Sequence, residues 1–141
     1  MKVYLSHSIR GVAGTEATLE IMEANNALAH GFGDQLRKRC PELGYLYVPG
    51  DHDEFITIAY QRKYLTEDQI LSVDKAIIDT CDLVIIYAFD NYISIGMSVE
   101  LDYAQSKGIP LVFITKNLSV EVVAKIINAK IERMITAKLK E

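Results

Sequence analysis

Short apolar runs alternate with longer amphipathic stretches along the chain. Runs typical of buried strands cover 3–5, 44–48, 83–87 and 111–114. Apolar residues spaced at steps of three and four, as in helices, cover 15–39, 66–80, 96–107 and the segment from 119 onward. Strands and helices that alternate in this way predict an α/β fold. We expect a doubly wound, Rossmann-like or flavodoxin-like parallel sheet of four to five strands with flanking helices, in a single domain over 1–141.

The ends of several helices have recognisable signals. Thr66 and Gln69 form the pattern of a capping box, and Ser119 is placed to cap the last helix. The first helix is predicted to have one apolar face, formed by Ile21, Ala24, Leu28, Phe32 and Leu36. The segment 51–65 is predicted to be a loop with one helical turn over 55–62. In sheets of this class ligands bind beyond the carboxyl ends of the strands, so we expect function there.

Composition narrows the range of partners. The net charge of −4 disfavours nucleic-acid polymers and anionic membranes, which call for a basic surface, but leaves a small anionic ligand open. No secretory signal and no apolar run of about 18 residues occurs. Cys40 and Cys81 have no metal-type spacing, and the adjacent acidic residues of 51–54 cannot all point at one ion. We therefore expect a cytoplasmic protein with reduced thiols and neither a metal nor another cofactor.

A polar loop follows the first predicted strand. The segment 6–11 (SHSIRG) brings two hydroxyls, a glycine and Arg10 towards the start of a helix. Such groups are suited to an anion, because backbone N–H groups and a guanidinium donate hydrogen bonds to it. The spacing is not that of a P-loop or of a dinucleotide-binding turn. From the residues alone, an anion cradle and an ordinary polar loop are about equally well supported.

Two carboxylates stand at positions with more than one interpretation. Asp74 shares a helix face with Ile70, Ile77 and Ile78. It therefore either belongs to a functional site or reaches solvent at the edge of that face. Glu100 lies in the first turn of a helix, where an acid also complements the helix dipole. The hydroxyl- and glycine-rich segment 94–98, directly after a buried strand, places Glu100 on the ligand side of the sheet. Two carboxylates in one cleft are the groups that cleave glycosidic bonds.

Two segments and one spacing resemble a known enzyme family. The segment 4–11, which ends in SIRG, is similar to the first strand and phosphate loop of the 2′-deoxynucleoside 5′-phosphate N-hydrolases. The segment 94–101 (SIGMSVEL) resembles that family's S-x-G-x-[GS]-x-E-L signature. Asp74 lies eight residues before Asp82, which is the spacing of the family's second acidic residue. The family belongs to the nucleoside 2-deoxyribosyltransferase-like superfamily.

The resemblance implies a hydrolase that splits a (deoxy)nucleoside 5′-monophosphate into a free base and (deoxy)ribose 5-phosphate. Glu100 would attack C1′, Tyr4 would orient Glu100, and Asp74 would position the sugar or carry a proton. The residues implied in binding the 5′-phosphate are Ser8, Ile9 through its backbone, Arg10, Gly11, Ser94 and Gly96. A base-exchanging deoxyribosyltransferase and a non-catalytic nucleotide-binding protein are the alternative readings.

The remainder of the substrate pocket is less specified. Candidates for contacts to the base and sugar are His7, Ser98, Tyr45 and Tyr47, although tyrosines at such spacing belong more often to a core. The family borrows a hydroxyl from a neighbouring subunit near the start of the last helix. The polar residues near that position are Asn117 and Ser119, and a homodimer with shared active sites is therefore implied. The sequence does not specify which base is recognised.

Overall fold

The computed structural model describes residues 1–89, 91–115 and 118–141 and confirms the α/β fold that the hydrophobic pattern predicts. Its strands are β1 (Lys2–His7), β2 (Tyr45–Tyr47), β3 (Leu83–Ala88) and β4 (Leu111–Thr115). Its α-helices are α1 (Leu19–Arg39), α2 (Asp53–Gln61), α3 (Glu67–Ile78), α4 (Ile95–Ser106) and α5 (Val120–Leu139). Short 3₁₀ segments lie at Gly11–Glu16, Pro41–Leu43 and Pro49–His52.

The sheet has four parallel strands in the order β2-β1-β3-β4. β1 is an inner strand, because Val3 lies opposite Leu46 of β2 on one side and opposite Leu83 of β3 on the other. β2 is an edge strand of only three residues. Arg37 of α1 donates a hydrogen bond to the carbonyl of Leu46 at 3.0 Å.

Helices cover both faces of the sheet, as a doubly wound fold requires. Alternate residues of a strand point to opposite faces, so Val3 and Leu5 enter one core while Tyr4 enters the other. The first core is closed by α1 and α5, which contribute Phe32, Leu36, Ile127 and Ile131. The second core lies under α3 and α4, which contribute Ile78, Met97 and Ala104. The candidate functional side chains are thereby distributed over two different faces.

The predicted caps are confirmed. Thr66 and Gln69 form a reciprocal capping box at the start of α3, with hydrogen bonds of 3.1 and 2.8 Å. Ser119 caps α5 and accepts a hydrogen bond from the Val122 N–H at 3.3 Å. Each side chain satisfies a backbone donor that the first turn of a helix leaves free.

The segment 51–65 is more helical than predicted, because the single turn predicted over 55–62 is a regular helix that begins two residues earlier. The 3₁₀ turn Pro49–His52 leads directly into α2, which is a regular helix of nine residues. Asp53 and Glu54 stabilise the first turn of α2 through the helix dipole. Among the residues of α2, only Ala59 is fully buried, while Phe55 and Tyr60 are exposed. The apolar residues therefore do not form one continuous buried face, which concealed the helix.

The predicted apolar face of α1 is correct only in its second half. Phe32 and Leu36 are buried, but the predicted members upstream, Ile21, Ala24 and Leu28, are exposed. The helix instead buries Ala29 and Asn26, which are reached from Phe32 by steps of three rather than four. The turn Pro49–His52 packs against this part of α1 and decides which of the two faces is covered.

Candidate active site

Glu100 is a buried carboxyl group on the sheet side of α4. Ser94 begins the helix by accepting a hydrogen bond from the Met97 N–H at 3.1 Å, so that Met97, Glu100 and Ala104 follow on one face at steps of three and four. Met97 and Ala104 belong to the second core, and Glu100 on the same helix face is only 5% exposed. Glu100 lies in the second turn of α4 and not in the first as predicted, because the helix begins at Ile95. It is directed at the sheet rather than placed at the helix end as a simple dipole partner.

Two hydroxyl groups of β1 hold the Glu100 carboxylate. The Tyr4 hydroxyl donates a hydrogen bond to Oε2, and the Ser6 hydroxyl donates one to Oε1 at 3.0 Å. Tyr4 and Ser6 are both fully buried. They are two residues apart in a strand and hence point to the same face. The predicted contact between Tyr4 and Glu100 is present.

The electrostatics of Glu100 favour a proton at neutral pH. Burial, with a smaller contribution from the nearby carboxylate of Asp74, raises the pKa of Glu100 to about 8. The hydroxyls of Tyr4 and Ser6 act in the opposite direction, because they donate hydrogen bonds to the ionised form. Burial beside these acids likewise raises the pKa of the Tyr4 phenol well above its usual value, so Tyr4 stays a neutral donor.

Asp74 of α3 belongs to the same cluster. α3 packs against α4, and Asp74 is partly buried between them and the sheet rather than free in solvent. Burial raises the pKa of Asp74 to about 6, and a contact with the Tyr4 hydroxyl opposes that rise. The Tyr4 hydroxyl thus lies between two carboxyl groups of unequal acidity. Such a pair is a common basis for acid–base chemistry near neutral pH.

A stack of three rings forms one wall beside these carboxyl groups. Tyr47, the last residue of β2, stacks on Tyr4 with ring centroids 5.5 Å apart, and His52 stacks on the other face of Tyr47 at 5.0 Å. Burial, followed by the negative charge of Asp74, raises the pKa of Tyr47 to about 12. Tyr45 begins the same strand, opposite Lys2 at the amino end of β1, so the structure does not bring it to this site.

The loop after β1 is folded back on itself. Ser8 is buried, and its hydroxyl accepts a hydrogen bond from the Gly11 N–H at 2.7 Å. Gly11 has a φ of 63°, a conformation that favours glycine. Asn25 of α1 donates a hydrogen bond to the carbonyl of Ile9 at 2.9 Å. The hydrogen bonds of the loop itself and of Asn25 therefore define its shape.

Arg10 reaches from this loop to α2 and α3. Its guanidinium donates a hydrogen bond to the Tyr60 hydroxyl at 3.3 Å and lies 5.7 Å from the centre of the Tyr60 ring. A second nitrogen lies 3.7 Å from the carboxylate of Glu67. Arg10 is thus paired with protein groups at the mouth of the loop, and an anion would have to compete with Glu67 for it.

His7 lies on the opposite face of the sheet from Tyr4, Ser6 and Glu100. Its Nε2 accepts a hydrogen bond from the Gly50 N–H at 2.9 Å, so Nδ1 carries the proton and faces the Ser8 carbonyl at 3.3 Å. Burial lowers the pKa of His7 to about 4, and the ring is neutral at physiological pH. His7 therefore connects the Ser8 loop to the turn Pro49–His52, and the strand prediction that ended at residue 5 was two residues too short.

The other predicted site residues within the described part of the chain lie at the starts of α4 and α5. Ser94 is occupied as the cap of α4, and a Cβ added to Gly96 would lie 3.8 Å from Leu71, an ordinary contact. Ser98 is partly buried in the first turn of α4. Ser119 is exposed at the start of α5. Asn117 lies outside the described residues.

Ser6 is the functional candidate that the sequence reasoning missed. The apolar pattern predicts that the first strand ends at residue 5, which places Ser6 in the loop, whereas β1 extends to His7. The signal was the two-residue period of a strand, which places Ser6 beside Tyr4 as soon as the strand is extended.

No group of three or more His, Cys, Asp or Glu side chains within 1–89, 91–115 and 118–141 is arranged to hold a metal ion. Of the helices in the described part of the chain, none is long and apolar enough to cross a membrane. A comparison with protein-family models finds no match, and comparisons with curated proteins and with solved structures find none either.

Proposed function

We propose that this protein is an N-glycosidase that hydrolyses the base–sugar bond of a (deoxy)nucleoside 5′-monophosphate. The observation that carries the proposal is the buried Glu100 carboxyl, with one β1 hydroxyl on each oxygen and Asp74 beside it. A buried pair of acids opposes folding, because burial disfavours the charged forms and like charges repel. An arrangement that is unfavourable for stability is more readily explained by catalysis.

The proposed reaction uses one proton that the two carboxyl groups share. At rest this proton is on Glu100, which has the higher pKa, and it passes to Asp74 through the Tyr4 hydroxyl before the sugar is attacked. The Glu100 carboxylate attacks C1′ and forms an ester with the sugar, while the C1′–N bond breaks and its electron pair leaves with the base. Asp74 gives its proton to the departing base. A water molecule then attacks C1′ and passes a proton to Asp74, and Glu100 is released as a carboxylate. Tyr4 and Ser6 donate hydrogen bonds to Glu100 in its ionised form.

The direct test is release of a free base from a panel of nucleotides. The purified protein is incubated with the common NMPs and dNMPs and with the matching nucleosides, and the products are separated by liquid chromatography. We expect base and sugar 5-phosphate in equal amounts from at least one monophosphate. Tight nucleotide binding without any base release would instead support a non-catalytic nucleotide-binding protein.

The pairing of Arg10 with Glu67 supports a second candidate, a nucleoside 2-deoxyribosyltransferase. A transferase acts on nucleosides and does not require a free guanidinium for a phosphate, and Arg10 is already engaged by Glu67 and Tyr60. Supplying a deoxynucleoside together with a second free base separates the two reactions. Base exchange without net hydrolysis would favour the transferase, and unchanged hydrolysis in the presence of the second base favours the N-glycosidase.

Relief of the Arg10–Glu67 pair should strengthen phosphate binding. In Glu67→Gln the guanidinium loses an exposed charged partner, and we expect the KM for monophosphates to fall about twofold to threefold, with no change for nucleosides. Arg10→Ala should raise the KM for monophosphates about tenfold. Asp68→Asn, the neighbouring change of the same charge, serves as the control. Equal effects on monophosphates and nucleosides would contradict a phosphate role for Arg10.

The proposal includes a cytoplasmic homodimer in which the start of α5 meets the partner. Leu118, Val122 and Ile126 are spaced by four residues beside Ser119 and are 37–42% exposed, which forms a partly exposed apolar stripe. Sedimentation equilibrium should give twice the chain mass of 15.8 kDa. A monomer at all concentrations that support activity would exclude shared active sites.

A further inference from the structure

Ser6 lies at a constrained position next to Glu100. β1 is hydrogen-bonded to a strand on each side, with β2 opposite residues 2–4 and β3 opposite residues 3–7. Ser6 itself lies opposite Ile86 of β3 and is fully buried. The strand backbone therefore fixes where the Ser6 hydroxyl is, and its freedom is limited to the rotation of one short side chain.

The two hydroxyls of β1 donate hydrogen bonds to different oxygens of the Glu100 carboxylate. Tyr4 donates to Oε2, and Ser6 donates to Oε1 at 3.0 Å. With one donor on each oxygen, rotation of the carboxylate plane would break at least one hydrogen bond. With Tyr4 alone, Oε1 would have no donor, and a buried polar atom without a hydrogen-bond partner destabilises the folded state.

We propose that Ser6 is a positioning residue, which orients the Glu100 carboxylate and favours its ionised form for attack on the sugar. This inference rests on the proposed N-glycosidase function and adds a residue to its mechanism. Ser6 acts through Glu100. Its contribution is the angle at which the carboxylate is presented and the stability of the negative charge before the reaction.

The matched pair Ser6→Ala and Ser6→Cys separates hydrogen bonding from packing. Alanine removes the hydroxyl and leaves a small gap, whereas cysteine fills the space with a much weaker donor. We expect both variants to lower kcat about tenfold, with less than a twofold change in KM, because a lost hydrogen bond to a charged group is worth roughly that factor. Ser72→Ala, which removes an exposed hydroxyl that donates to the Asp68 carbonyl, should leave kcat unchanged.

A measurement without substrate tests the same contact. The ¹³Cδ resonance of Glu100 in glutamate-labelled protein, assigned by its loss in Glu100→Gln, is followed through a pH titration. We expect the apparent pKa of Glu100 to rise by about one unit in Ser6→Ala and Ser6→Cys, since each loses a donor to the carboxylate. Ser72→Ala should titrate like the unmodified protein.

The possible results distinguish the two proposals. Full activity in Ser6→Cys would assign Ser6 a packing role and overturn the inference, as would an unchanged Glu100 titration in Ser6→Ala. No base release from any nucleotide by the unmodified protein defeats the N-glycosidase proposal, whatever the titration gives. A raised Glu100 pKa together with a tenfold fall in kcat supports both.

Discussion

Glu100→Gln is expected to reduce base release by about 10³-fold or more, while nucleotide binding stays within a few-fold of that of the unmodified protein. Glutamine has nearly the same shape and still accepts a hydrogen bond from Ser6 or Tyr4 through its carbonyl oxygen. It has no negative charge and cannot form the ester with C1′. Single-turnover assays measure the chemical step, and isothermal titration calorimetry measures the binding.

The control for this variant lies on the same helix. Asp102→Asn makes the same change of charge two residues away, at a position that is exposed to solvent. It should retain full activity, which would exclude a general effect of net charge or of the helix dipole. If Glu100→Gln released base at more than about a tenth of the unmodified rate, a residue other than Glu100 would be the nucleophile.

A bell-shaped dependence of kcat/KM on pH is the second large effect expected. Between about pH 6 and pH 8 the pair of Asp74 and Glu100 holds one proton, since burial raises the pKa of these groups to about 6 and about 8. Below that window both carboxyl groups are protonated and the nucleophile is lost. Above it both are ionised and no proton is left for the departing base. The apparent pKa values of the two limbs belong to the pair as a whole.

Asp74→Asn should abolish the bell-shaped dependence of kcat/KM on pH. It should also lower kcat/KM about 10²-fold, which is typical for loss of a general acid. With asparagine in place, only Glu100 ionises, and the profile becomes a single rise with increasing pH. Asp68→Asn, on the exposed first turn of the same helix, should keep the bell. A plateau above pH 8 in the unmodified protein would contradict proton donation by Asp74 and leave it a role in binding the sugar.

The elements that were predicted well have signals in their own residues. The capping box at Thr66 is a local exchange of hydrogen bonds, and the runs that became β3 and β4 are apolar and bounded by turns. The placement of Glu100 also followed from local features, a strand succeeded by a capped helix. Local signals of this kind do not depend on what the rest of the chain does.

The features that were missed depend on distant partners. β1 continues to His7 because β3 offers pairing up to Tyr87, and nothing within residues 1–8 indicates that length. The buried side of α1 is selected by the turn Pro49–His52, some twenty residues away in the chain. Two helical faces that differ by a step of three or four residues look alike in sequence, so only the packing partner distinguishes them.

The contacts of Arg10 also depend on distant parts of the chain, which limits the prediction of a functional site in the same way. Its position after a strand is compatible with an anion-binding role, but its partners come from two other elements: Tyr60 from α2, within the segment predicted as a loop, and Glu67 from the first turn of α3. The ring stack of Tyr4, Tyr47 and His52 likewise joins three elements. Contacts between elements determine which groups are free to meet a ligand, and the spacing of residues along the chain does not report them.

The hydrogen bond from Arg37 to Leu46 has a consequence for aggregation. A strand at the edge of a sheet normally offers free backbone groups, on which an extended segment of another chain can add as a further strand. β2 is only three residues long, and Arg37 occupies the Leu46 carbonyl while Asp51 accepts a second hydrogen bond from the same guanidinium at 2.9 Å. This edge therefore offers fewer free backbone groups for strand addition, and β4 forms the other edge of the four-stranded sheet.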